Sequence, residues 1–172
     1  MATIGLRDLY RAPITVGEGG KETYGTPVRM AKAISAEMSV EVAEAILYAD
    51  DGADEVVKEF VSGELTLNVN DLMPADLAAI LGQTQDDDQV VYAGENDDPP
   101  YMAIGFRAKK ANGMYKYIWL YKVKFAIPSE SYQTKGDSIE FTTPEITGQF
   151  SSGLTAFGKR SMWHFPQKPR RR

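Results

Sequence analysis

The side chains in this sequence with the most obvious chemical potential are its carboxylates, clustered as Asp50-Asp51, Asp54-Glu55, Asp86-Asp87-Asp88 and Glu95-Asn-Asp-Asp98. Two carboxyl groups at a fixed separation can share acid and base roles, and several together can hold a hard cation through oxygen. Here each cluster lies in Gly- or Pro-bounded turn sequence, where Asp is favoured because it bonds the local backbone. Neither Asp50-Asp-Gly-Ala-Asp54 nor Asn96-Asp-Asp98 leads to the Gly at position six and Glu at position twelve of an EF-hand loop. They read as solvated loop acids, and no metal or cofactor is expected.

Nucleophilic catalysis fares no better. His164, the only histidine, lies between Trp163 and Phe165, and Gly148-Gln-Phe-Ser-Ser-Gly153 lacks the Gly-x-Ser-x-Gly spacing of a nucleophile elbow. No glycine-rich loop runs into Lys-Ser or Lys-Thr, so a phosphate cradle is missing too. Tyr115, Tyr117, Trp119, Tyr121, Val123 and Phe125 alternate with Lys116, Ile118, Leu120, Lys122 and Lys124. Aromatics and lysines could bind single-stranded nucleic acid, but period two puts them on opposite faces, which suits a core or subunit interface better. Ile118 and Leu120 on the lysine face imply that this face is also partly covered. No catalytic residue is assigned, and the chain is expected not to be an enzyme.

The elements that carry these residues read as mainly strand. At 172 residues, 43% of them hydrophobic, the chain can build one packed core. It has no cysteine, so disulfides and thiolate metal sites are excluded and burial or oligomerisation must hold it together. Charge interrupts the first eleven residues too often for a signal peptide, and no window supplies the roughly 20 apolar residues of a membrane span, so a soluble protein is expected. The net charge is −5, or −9 without Lys168, Arg170, Arg171 and Arg172. Such an acidic body is poorly suited to gripping DNA, whose affinity for proteins comes mainly from cations meeting phosphates.

Residues 6–16 read as a first strand, with Pro13 at an edge or bulge and Gly17-Glu-Gly-Gly-Lys21 as its turn. Residues 29–48 fit one or two half-buried strands, and Leu65, Leu67 and Val69 alternate with Glu64, Thr66 and Asn68. Between them, residues 49–62 read as an extended acidic connection. Pro74–Gly82 is the one helix, with proline in its first turn, Asp76 at the positive end of its dipole, Gly82 as cap and a stripe of Leu77, Ile80 and Leu81. A short strand is expected around Gln89–Tyr92, and a hairpin joins 101–109 to 114–125 around Ala111-Asn-Gly113. A last strand is expected over 138–146. The division is a β domain over 1–148 and a C-terminal arm over 149–172.

Several of these pieces, in this order and at this spacing, resemble the major tail protein of long-tailed bacteriophages. They are Leu6-Arg-Asp-Leu-Tyr10, Tyr24-Gly-Thr-Pro27, Ala31-Lys-Ala-Ile-Ser-Ala36, Leu47-Tyr-Ala-Asp-Asp51, Ile104-Gly-Phe-Arg-Ala-Lys109, Phe125-Ala-Ile-Pro128 and Lys135-Gly-Asp-Ser-Ile139. The likeness runs from about Thr3 to Gly148 and continues more weakly to Trp163. It implies a small β-sandwich or barrel-like tail tube fold with one flanking α-helix and extended loop and terminal arms. It further implies a structural virion protein, assembled in the host bacterial cytoplasm, whose hexameric rings stack into the tail tube that delivers the genome. The implied partners are further copies of the chain, tape-measure and tail terminator proteins, and double-stranded DNA that passes without specific binding; membrane insertion is not expected. Within this reading, Asp50, Asp51, Asp54, Glu55 and Lys58 are expected to contribute to ring stacking, since a compact domain has little reason to keep a long charged connection. The alternatives are a glycan- or ligand-binding β-sandwich module presenting Tyr115, Tyr117, Trp119 and Tyr121, or a small β-barrel enzyme.

Overall fold

A computed structural model describes residues 2–49, 52–128, 134, 142–150 and 156–158, with backbone alone at 47–49, 52–55 and 156–158. It is mainly β with one helix. The strands are β1 (Thr3–Val16), β2 (Glu22–Tyr24), β3 (Val28–Arg29), β4 (Ala33–Ala49), β5 (Gly52–Val69), β6 (Thr84–Gln85), β7 (Val91–Tyr92), β8 (Met102–Lys110), β9 (Tyr115–Phe125), β10 (Glu145–Phe150) and β11 (Ala156–Gly158); α1 is Pro74–Leu81. The main sheet runs β2-β1-β8-β9-β10-β5-β4, with β3 on β1, β11 on β9, and every pair antiparallel. At one corner the chain passes from β3, paired to β1, into β4, paired to β5. That handover lets the sheet curl around its larger core.

Leu9 from β1, Leu65, Leu67 and Val69 from β5, Ile104 and Phe106 from β8, and Ile118, Leu120, Val123 and Phe125 from β9 meet inside, with Ile146 and Phe150 from β10. The helix adds Ile80 and Leu81, with Leu77 packed alongside, so the expected stripe is the buried one. Gly82 takes φ 71° as cap, and its N–H donates to the Ala78 carbonyl. Pro13 causes no break because its carbonyl accepts from Gly25 N–H. Its nitrogen lies on the same side, facing the gap between β2 and β3 where no ladder bond is needed.

Five expectations need correction. Residues 52–62 are no loose connection: they belong to β5 and pair with β4 almost to its end, because Val56, Val57, Phe60 and Val61 have strand propensity that the acids between them do not cancel. The last strand starts at Glu145, after Pro144 rather than across it, and runs to Phe150; residues 135–141 lie outside the described set. A domain boundary at 148 would therefore cut β10 and remove Phe150 from the core. In the β8–β9 turn only Gly113 has positive φ, 81°, and the Lys110 N–H to Met114 carbonyl bond closes a longer loop than a two-residue Asn-Gly turn.

The fifth concerns β9. Met102 pairs with Val123 but Ile104 pairs with Leu120, so Tyr121 and Lys122 together oppose Ala103. A bulge of this kind puts both residues on one face and reverses the alternation beyond it. Ile118, Leu120, Val123 and Phe125 consequently face the core, while Trp119 and Tyr121 join Ala12 and Ala103 in a second cluster flanked by Tyr10, Tyr24 and Tyr117. The six aromatic and apolar residues expected on one face are divided between two.

Candidate assembly surface

β4 and β5 are the longest strands of the fold and form one hairpin. Their inner halves belong to the body, where Leu65 and Leu67 pair with Met38 and Ala36 and β10 covers the other edge of β5 as far as Gly63, opposite Phe150. Beyond Gly63 no strand pairs with either edge of the hairpin among the described residues. From Val40 to Ala49 it runs on for about 30 Å at strand rise.

The two faces of this outer hairpin differ chemically. Val42 pairs with Phe60, and the Phe60 ring stacks on Phe150 at 5.9 Å between centroids, which identifies this face as the continuation of the core face. On it lie Val40, Val42, Ile46, Val56 and Phe60, each 42–54% exposed. Glu44 and Lys58 pair across the strands on the same face, with Nζ 3.1 Å from the carboxylate. The opposite face carries Glu37, Ser39, Glu41, Ala43, Glu59, Ser62 and Glu64, with a Ser62 hydroxyl to Glu41 hydrogen bond, and also the apolar pair Ala45 and Val57. One face is thus mainly apolar and the other mainly polar, the pattern of an amphipathic strand pair with one side suited to being covered.

Of the residues expected to contribute to ring stacking, Asp50 and Asp51 lie outside the described residues. The backbones of Asp54 and Glu55 sit close to the hairpin tip. Lys58 is set back on the apolar face, engaged by Glu44. The three that are described, Asp54, Glu55 and Lys58, thus belong to one strand rather than a loop. The remaining carboxylate clusters serve their own turns: Asp86 accepts from Val90 N–H at 2.8 Å and from the Tyr92 hydroxyl at 3.0 Å, and Asp97 accepts from Gly94 N–H at 2.7 Å. Asp98 holds Lys124 at 2.5 Å and, by that hydrogen bond, raises the lysine's pKa. No three His, Asp or Glu side chains converge as a metal site among the described residues. His164 lies outside them.

Sequence reasoning missed two polar anchors. Arg11 Nε donates to Asp76 Oδ1 at 2.8 Å, tying β1 to the first turn of α1 with both side chains largely covered. Asp8, in a left-handed conformation at φ 56° within a bulge of β1, pairs with both Arg107 and Arg29; no glycine marks that position, so the sequence gives no cue. The aromatic face is also unlike the platform expected of a glycan binder. Trp119 and Tyr121 are only 3% and 6% exposed, and the Trp119 ring lies where a side chain on Gly105 would be. Burial first, then the neighbouring Tyr24, pushes the Tyr121 hydroxyl up to about 12. Burial and Glu22 raise Tyr24 as well.

No helix among the described residues is long and apolar enough to cross a membrane. Comparison with protein-family models and with curated proteins gives no match to this chain.

Proposed function

We propose that this chain is a structural subunit that assembles with copies of itself, and that the assembly is a tube of stacked hexameric rings: the tail tube of a long-tailed bacteriophage, located in the virion and serving as the conduit for genome delivery. One observation carries the self-assembly: a long hairpin, open at both edges among the described residues, with a largely apolar face that the Glu44–Lys58 pair interrupts once. Open strand edges are templates for pairing, and closing them around a ring removes them. Covering five half-exposed aliphatic and aromatic side chains contributes on the order of 5 kcal/mol per contact. Head-to-tail contacts that close into rings and repeat along an axis turn one chain into a filament.

The specific choice of a tail tube rests on the sequence resemblance. In it, acids facing the lumen repel DNA phosphates, so the duplex slides without specific binding, and tape-measure and terminator proteins fix the length and end of the tube. The hairpin tip, with Asp50, Asp51, Asp54 and Glu55, meets the adjacent ring, and Lys58 supports it. Reversing Asp50, Asp51 and Asp54 to Lys alters ring spacing or tube length on this reading; an unchanged tube removes those residues from the contact. The reading as a whole is tested by negative-stain electron microscopy over a concentration series. Hollow tubes or six-fold rings support it, and a different closed oligomer or a particle that stays monomeric with an initiator complex present counts against it.

A further inference from the structure

We propose that the acidic face of the β4/β5 hairpin in one copy docks on a basic face formed by β3, β1 and β8 in the next. On the hairpin, the face turned away from the core carries the cross-strand rows Glu37–Thr66, Ser39–Glu64, Glu41–Ser62 and Ala43–Glu59. Each successive row thus holds one carboxylate, about 6.6 Å from the last at strand rise. All four glutamates are exposed, and among the described residues none pairs with Lys or Arg.

The bases form a ladder of the same step. Arg29 pairs with Tyr10, which also pairs with Gly105; Arg7 pairs with Arg107, and Gly5 with Lys109. Phe106 faces the core, so Gly105, Arg107 and Lys109 mark three outward rows, which hold Arg29, then Arg7 with Arg107, then Lys109. Asp8 holds Arg29 and Arg107, and the Arg107 guanidinium lies 4.4 Å from the centre of the Tyr115 ring. Part of the ladder is therefore set in place before a partner arrives. Arg7 and Lys109 are exposed and pair with no carboxylate among the described residues.

Four cations against Asp8 give the basic face +3, and four acids without a cation give the hairpin rows −4, on a chain whose net charge is −5. That overall acidity works against a nucleic acid as the anion, whereas a second copy brings a carboxylate ladder of matching step. Both ladders lie on outward faces with the core behind them, so one copy cannot bring its own two together. Joining unlike faces, the contact repeats head to tail. Val40, Val42 and Ile46 point the opposite way from the acids, so the two faces of the hairpin meet different neighbours. The proposal rests on the self-assembly reading and adds a second, electrostatic contact to it.

Three full-length variants test it: Glu37→Lys/Glu64→Lys, Arg7→Glu/Lys109→Glu, and the four changes together, all at exposed positions. Association is measured by light-scattering mass over a concentration series at about 0.02 M and about 0.5 M salt, with thermal melts to establish that each protein is folded. At low salt each double variant is expected to associate at least about tenfold more weakly than wild type, because like charges then face one another, and the fourfold variant, with its ladders exchanged, is expected to recover. Where a double variant fails to melt cooperatively, Glu37→Lys and Lys109→Glu singly carry the same comparison. Double variants as associated as wild type, a fourfold variant as weak as the doubles, or a wild type that does not self-associate at low salt overturn the proposal. So does duplex DNA binding by the wild type that Arg7→Glu/Lys109→Glu loses with its self-association unchanged, which assigns the bases to nucleic acid. Tubes from both double variants overturn this contact and leave the tube reading standing; charge-dependent oligomers that are neither rings nor tubes support the contact and count against the tube.

Discussion

Strands β4 and β5 live in two environments. Over their inner halves, Leu65, Leu67 and Val69 are completely buried; over their outer halves, Val40, Val42, Ile46 and Val56 alternate in the same way and are exposed. The alternation is a property of the chain, but burial is a property of what lies opposite. Phe150 marks the border, seated over Gly63 and stacked against Phe60, with core on one side and open hairpin on the other. The body is held by packing that the monomer completes; the arm presents packing that the monomer leaves unfinished.

Breaking the body should therefore cost stability, while breaking the arm should cost association. The largest stability effect is expected at the border: Phe150→Ala removes a buried ring and should lower unfolding free energy by about 3–5 kcal/mol, measured by urea denaturation. Next comes Asp76→Ala, which strands the covered Arg11 guanidinium and should cost about 3 kcal/mol in the same assay. The double change Arg11→Met/Asp76→Leu should recover most of that loss, since neither charge is left unpaired.

Alkaline pH probes the body from its aromatic side. The folded Tyr121 hydroxyl is raised to about 12, against about 10 in an unfolded chain. Its contribution is fully present below pH 10, because the unfolded chain then gains nothing by deprotonation. It should decline as pH rises from about 10 to about 12, since the unfolded state releases its proton first. Tyr24, raised in the same direction, adds to the decline. Urea melts across this range, with phenolate absorbance recorded in parallel, check both the sign and the window. The smallest stability effect belongs to the arm: Val42→Asp/Ile46→Asp changes two exposed positions and should shift unfolding by no more than about 0.5 kcal/mol.

The sequence made the body's elements legible where chemistry is local. Proline at the start and glycine at the end delimit α1, strict alternation identifies the Leu65–Val69 stretch, and Gly113 closes the β8–β9 hairpin. It failed where a single residue changes the register. The bulge at Tyr121–Lys122 leaves no compositional mark, yet it decides whether Val123 or Tyr121 faces the core. The arm was misread for a related reason: its acids and Gly52 resemble a loop, while pairing across the hairpin satisfies the backbone and makes a strand of it. Arg11 and Asp76 are 65 positions apart, and nothing local in either links them. The candidate surface was legible in its β4 half, where residues 29–48 read as half-buried strand, but not in its β5 half, where Val56 and Phe60 lie among acids that resemble a loop.

The central claim is that the apolar face of the outer hairpin joins copies of this chain. The most direct measurement compares wild type with Val42→Asp/Ile46→Asp by light-scattering mass and electron microscopy on the same concentration series. The account predicts rings or tubes for the wild type and a folded particle of single-chain mass for the variant. Assemblies of equal size and abundance from both proteins would contradict it.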